Sequence, residues 1–260
     1  MNVWEARVVV RERSVAEIID LAVRFTLVLG GRLYAQLFVC VVLPAYAGCL
    51  LLSSRGVPDI WVCALAVVLF AVLQLPFTVA AGRLMFSAEL SLRDVFSTSL
   101  RLAFRALAAR FLGALLLGGG ALLVVAAPLA IARALYLVEV VVLEGSAPFA
   151  AYRRGTRLTQ GRVAQTFGVW LALVATSAAF VGLAAVLSRS LAAEGLAIDA
   201  LPDLWNGFSA QAGIAGLFLS LPLVATLRFL AYIDNRTRRE GWDIQVRFLE
   251  LGRVLESEAT

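Results

Sequence analysis

Five stretches without a single charged side chain (33–52, 60–81, 111–132, 163–187 and 214–227) set the terms on which this chain can fold. Most approach or exceed the roughly 18–20 apolar residues needed to cross a hydrocarbon core about 30 Å thick. In lipid, backbone amides and carbonyls must find partners within the segment itself, so such stretches read as helices. The short alternating strands and frequent turns of an outer-membrane barrel are missing from the pattern. With 61% of residues hydrophobic and 16% charged, against about a quarter charged in soluble domains, the expected class is an all-α, polytopic membrane bundle.

Charge then sets topology. The net charge is +5 with 23 basic residues, all arginine. They are split among short segments flanking the apolar runs, which argues against a nucleic-acid surface. Arginines gather before residue 33, over 83–110, over 153–162 and after Arg228, whereas 53–59 and 188–208 carry few. The positive-inside rule puts both termini and the two middle basic segments in the cytoplasm, with Trp61 and Trp205 at the opposite interface. Residues 111–143 hold only Arg133 and Glu139 as charges. One straight helix of that length would span about 50 Å, too long for the core, and would leave a basic flank outside. Two short helices turning near 126–128, or a partly re-entrant hairpin, satisfy both constraints. The expectation is six crossings, with five as the alternative. The division is 1–32 as a cytoplasmic amphipathic segment, 33–233 as the bundle (with cytoplasmic segments 83–110 and 144–162), and 234–260 as an interfacial tail.

The cytoplasmic segments resemble one another. Ser14 and Glu17 fit a capping box, followed by a stripe of Val15, Ile18, Ile19, Ala22 and Phe25. Ser91 opens a second segment with a stripe of Leu92, Val95, Phe96, Leu100, Ala103, Phe104 and Leu107, ending at Arg110. Ser146-Ala147-Pro148 opens a third, with Pro tolerated in the first turn. The order of cap, amphipathic helix, arginine and two spans thus occurs three times, a repeat of low residue identity. Pro44, Pro76 and Pro222 fall within spans, where kinks are tolerated. The first 32 residues mix acids with arginines and do not read as a cleavable signal peptide.

After the last span, Arg236, Arg238, Arg239 and Trp242 form a patch suited to lipid headgroups or a partner. A glycine break at Gly241 precedes an apolar stripe of Ile244, Phe248, Leu251 and Leu255, which is expected to fold back along the membrane face. The residue order here is more specific than the charge. Tyr232, Asp234, Arg236, Arg238, Arg239, Glu240, Gly241 and Asp243 resemble the tail of a large bacterial family of polytopic membrane proteins. That family is described as similar to the non-catalytic membrane domain of glycerophosphoryl diester phosphodiesterase. Glu144-Gly145-Ser146, followed by Arg153, Leu158, Thr159 and Gly161, looks like its other recurrent segment. Arg154-Gly155 stands where that family commonly has Arg-Ser. The resemblance implies a multi-pass protein of the bacterial inner membrane, and it does not imply catalysis.

Chemistry finds little to work with. The chain has no histidine, which removes the usual acid–base and nucleophile-activating partner, and there is no Gly-Lys phosphate loop. Gly118-Gly119-Gly120 lies in an apolar run and reads as packing surface. Cys40, Cys49 and Cys63 lack metal-ligand spacing and cannot all pair with one another. No enzyme activity, catalytic residue, metal or cofactor is expected. The candidate intramembrane polar pair is Arg133 with Glu139, because charges within spans are costly and face a bundle interior or a cavity. Gln74 and Gln211 read as interhelical hydrogen bonders. Expected partners are anionic lipid headgroups and other membrane proteins or further copies of the chain, not nucleic acid. Two functions follow: a non-catalytic scaffold or accessory subunit of an envelope complex, or a carrier of lipid or a small amphiphile.

Overall fold

The structure is a computed structural model that describes residues 13–85, 90–121, 127–190 and 208–240. Every regular element among them is helical. Helix α1 (Val15–Arg24) begins on the expected capping box: the Ser14 hydroxyl accepts from the Glu17 amide, and the Glu17 carboxylate accepts from the Ser14 amide at 2.8 Å. Its stripe turns inward, with Ile18, Ala22 and Phe25 buried. A π-helical turn, Phe25–Leu29, leads into α2 (Gly31–Leu37), a second π-helical turn (Phe38–Val42) and α3 (Leu43–Ser54). Pro44 sits at the start of α3; the wider turn before it absorbs the hydrogen bond that proline cannot donate.

Helix α4 (Asp59–Leu84) returns, and Arg83 donates to the Thr98 hydroxyl (2.6 Å) on α5 (Leu92–Ala121). Two short helices, α6 (Ala127–Ala134) and α7 (Leu137–Glu144), are followed by the amphipathic α8 (Pro148–Thr159), the long α9 (Val163–Ser190) and α10 (Phe208–Glu240). Four segments are long and apolar enough to cross a membrane: Gly31–Ser54, Asp59–Leu84, Val163–Ser190 and Ala210–Arg239. Large apolar side chains such as Val28, Ile60, Trp61 and Val186 project outward from this bundle.

Helix α10 is the axle. It packs most extensively on α9 and α4 and also touches α1, α3 and α8. Every residue from Val224 to Asn235 is buried, so all faces of the helix are covered over three turns. A helix apolar all round can lie in a core, but this one carries Arg228, Asp234 and Asn235 there. Small residues set its approach to α9: a Cβ on Gly216 would collide with the Phe180 carbonyl and come within 2.8 Å of the Ala184 Cβ.

Several expectations need correction. The second amphipathic segment does not end at Arg110; α5 runs unbroken from Leu92 to Ala121. Its stripe is only partly buried: Val95 is covered, while Leu100 and Phe104 are exposed. The pair of helices expected over 111–143 is unequal. Its first arm continues α5, and its second arm breaks at Leu135-Tyr136 into two helices of eight residues. At 1.5 Å per residue each is about 12 Å long, under half the hydrocarbon thickness. The break turns Tyr136 and Glu139 toward α10. Ala147, not Ser146, caps α8. The final helix runs through the arginines to Glu240, with Arg236 3.9 Å from Glu144 and Arg238 donating to the Arg13 carbonyl. The stripe after Gly241, Trp205 and Trp242 lie outside the described residues.

Candidate functional site

Arg133 and Glu139 do not meet. Arg133, at the end of α6, is half-buried, and its carbonyl would lie 3.3 Å from a Cβ placed on Gly155 of α8. That close crossing is a physical reason for glycine at position 155. Glu139 is fully buried and instead accepts from the Arg228 Nε of α10. Arg228 is itself only 8% exposed. Two fully desolvated charges are tolerable only when paired, since an isolated one would cost several kcal/mol.

From this pair toward its C-terminal end, α10 makes a ladder of polar contacts. Asn235 donates to the Tyr136 hydroxyl at 3.0 Å, and the Tyr232 hydroxyl donates to Glu144 at 2.7 Å. Glu144 also pairs with Arg154 (3.1 Å) and lies 3.9 Å from Arg236. Asp234 accepts from the Arg13 amide at 2.8 Å and pairs with Arg238 at 2.9 Å, while Arg238 donates to the Arg13 carbonyl at 2.6 Å. The segments Glu144-Gly145 and Tyr232–Arg238 therefore touch. Their charges clasp the bundle end. Of the three tail arginines expected at headgroups, Arg239 is exposed, whereas Arg236 and Arg238 are largely spent on these internal contacts.

Beside the Glu139–Arg228 pair lies a cavity of about 590 Å³, walled by α4, α5, α7, α9 and α10 and by the end of α6. This is within the roughly 300–1,000 Å³ range of small-molecule pockets. Its walls are mostly apolar, with Val67 and Phe70 of α4, Leu117 of α5, Leu173 and Val181 of α9 and Leu217 of α10. Its charged and amide side chains, Gln74, Arg110 and Arg228, collect at one end, and the Ser177 hydroxyl on the α9 wall is spent on the Leu173 carbonyl. Arg110 Nη2 donates to Gln74 Oε1 over 3.4 Å, so the expected interhelical role of Gln74 is met by an arginine. Gln211 differs, because its buried side-chain amide finds no hydrogen-bond partner.

The charged end is not fully satisfied. Arg228 Nη2 and Glu139 Oε2 are buried without a hydrogen-bond partner. Each such group costs about 1–3 kcal/mol, more when charged. Counting formal charges, two guanidiniums face one carboxylate. Among the described residues no three metal-ligating side chains gather. Gln74, Arg110 and Arg228 can bind and orient a polar group at this end of the cavity.

The fold and this site define a class: a helical bundle with four helices able to cross a membrane, built around a polar axial helix and an apolar cavity with a cationic end. Comparison with protein-family models, curated proteins and solved structures finds no match to this chain.

Proposed function

We propose that this chain is a multi-pass protein of the bacterial cytoplasmic membrane that performs no covalent chemistry and holds a lipid-like amphiphile within its bundle. The observation that carries the reading is the cavity beside Arg228: a partly open, mostly apolar pocket whose charged and amide side chains, Gln74, Arg110 and Arg228, gather at one end. An aqueous solute would need polar groups distributed along the wall, whereas an amphiphile has its own polarity concentrated in the same way. Of the two functions drawn from the sequence, the carrier reading gains from this geometry and the scaffold reading does not.

The proposed topology places the face bearing α1, α8 and the end of α10 in the cytoplasm, on the strength of its arginines. The apolar half of α5, with α6 and α7, forms a fifth and sixth traverse, short and broken at Leu135-Tyr136. The bacterial inner membrane assignment rests on the likeness of Glu144–Gly161 and Tyr232–Asp243 to the membrane family named above.

Native mass spectrometry of the full-length protein in gentle detergent tests the reading. The parent should retain a lipid-sized adduct, and Ala178→Trp, which fills the cavity from an exposed wall position, should lose it while eluting as the parent does. Equal adducts on both proteins would place the lipid on the outer surface and defeat the proposal.

A further inference from the structure

The cavity has a direction. Its lining residues come from antiparallel helices, yet all of them order the same way. On α4, Gln74 lies nearer the arginine-rich face than Val67; on α5, Arg110 lies nearer than Leu117; on α10, Arg228 lies nearer than Leu217. Trp170 and Val181 repeat the order on α9. The cationic end is therefore turned toward the face that carries α1 and Arg238, and the apolar end points away from it. About 15 Å of helix separates Arg228 from Arg238, so the charged end sits well inside the bundle rather than at its rim.

Two observations at that end call for an anion. Arg110 and Arg228 together outnumber Glu139, leaving one formal positive charge on a mostly apolar wall. Arg110, which lines the same end, has the neutral Gln74 amide as its hydrogen-bond partner. We propose that the cavity takes a single-chain amphiphile with an anionic head, a carboxylate or phosphate monoester. The head lies at Arg110 and Arg228, and the chain is directed toward Val67, Leu117 and Leu217. This rests on the amphiphile-holding reading above and narrows it to a head class and an orientation. A head oxygen accepts from Arg110, whose present neutral partner is the Gln74 amide, with the charge of Arg228 beside it at the same end of the cavity. Planar guanidiniums match carboxylate and phosphate oxygens in geometry as well as charge. The occupant has the orientation of a lipid in the leaflet next to the arginine-rich face, drawn inward so that its head leaves the interface.

The test uses delipidated full-length protein in detergent micelles and three probes of equal chain length: a fatty acid, a lysophosphatidic acid and a neutral monoacylglycerol. Both anionic probes should bind about tenfold or more tighter than the neutral one, since a hydrogen bond to a charged group contributes on that scale. Arg110→Gln should bring the ratio close to one, and Arg110→Lys should restore part of it. Inorganic phosphate in excess should fail to displace the fatty acid. Equal affinity of the three probes in the parent, with Ala178→Trp blocking them all, would overturn the anionic assignment and leave the amphiphile reading standing. Binding of every probe unaffected by Ala178→Trp would remove both. Competitive displacement by inorganic phosphate would mark a free-anion site instead and overturn the lipid assignment.

Discussion

Glu139→Gln is the most informative single change in this protein. Glu139 is fully buried, its partner Arg228 is 8% exposed, and Arg110 lines the same chamber end. Neutralising the carboxylate leaves Arg228 desolvated, with a second guanidinium nearby and no counter-charge. Removing one member of such a pair costs about 3–5 kcal/mol, most of it from the charge left behind. Glutamine retains an oxygen that can accept from Arg228 Nε, which places the expected loss toward the lower end. Adding Arg228→Gln removes the stranded charge, so the double variant should be less destabilised than the sum of the singles. Coupling between contacting residues runs to about 0.5–3 kcal/mol, and the dry setting puts this pair in the upper part of that range. Unfolding in mixed micelles, followed by circular dichroism over a detergent titration, measures all four corners of the cycle. Arg133→Gln serves as the control, because Arg133 lies on α6 and does not meet Glu139; it should give no rescue. Strict additivity of Glu139→Gln with Arg228→Gln, or rescue by Arg133→Gln, would falsify the pairing on which the axial-helix account depends.

Gly216→Ala should destabilise by about 1–3 kcal/mol through overpacking against Phe180 and Ala184. Gly182→Ala on α9 meets open space and should be neutral or gain up to about 1 kcal/mol of helix propensity; the same detergent titration separates them. Tyr232→Phe deletes the 2.7 Å hydrogen bond to Glu144 and should cost about 1.5 kcal/mol, the lower end for bonds to charged groups, because Glu144 keeps Arg154. Comparable stability of Tyr232→Phe and the parent would mean that the clasp between Tyr232 and Glu144 contributes nothing. For topology, cysteine introduced at the exposed Ser97 should resist an impermeant thiol reagent applied to intact cells, while cysteine at the exposed Ser54 should react. Thr237, on the same arginine-rich face, is buried and would be uninformative.

The helices were legible where composition alone decides the outcome. Chargeless runs over 33–52, 60–81 and 163–187 lie within helices of slightly greater length, because lipid leaves the backbone no alternative. The Ser14–Glu17 box was readable for a similar reason: its partners are three residues apart and need no tertiary context. The polar site was not readable in this way. Arg228 ends the run 214–227 and looked like one more topogenic arginine, while its partner lies 89 residues earlier in the chain. Only the packing of α7 on the axial helix makes them neighbours. Arg110 was hidden likewise, as the last basic residue of an amphipathic segment. The one local signal was that Glu139, buried in an apolar stretch, required some cation. Arg133 was the nearest in sequence, and the break at Leu135-Tyr136 turned the carboxylate elsewhere. The cavity has no sequence signature, since most of its walls use the same apolar residues that face lipid.

A hydrocarbon chain lying in the cavity is the central requirement, and Trp170, which lines it, can report on that directly. Trp4, Trp61, Trp205 and Trp242 are replaced by phenylalanine, leaving Trp170 as the sole fluorophore, and the protein is titrated with a fatty acid brominated along its chain. The account predicts quenching that saturates at one equivalent of the brominated acid, reverses with excess unlabelled fatty acid, and disappears in Ala114→Phe, which intrudes from α5. Quenching that only rises in proportion to the brominated fraction of the micelle, and is unchanged by Ala114→Phe, would contradict it.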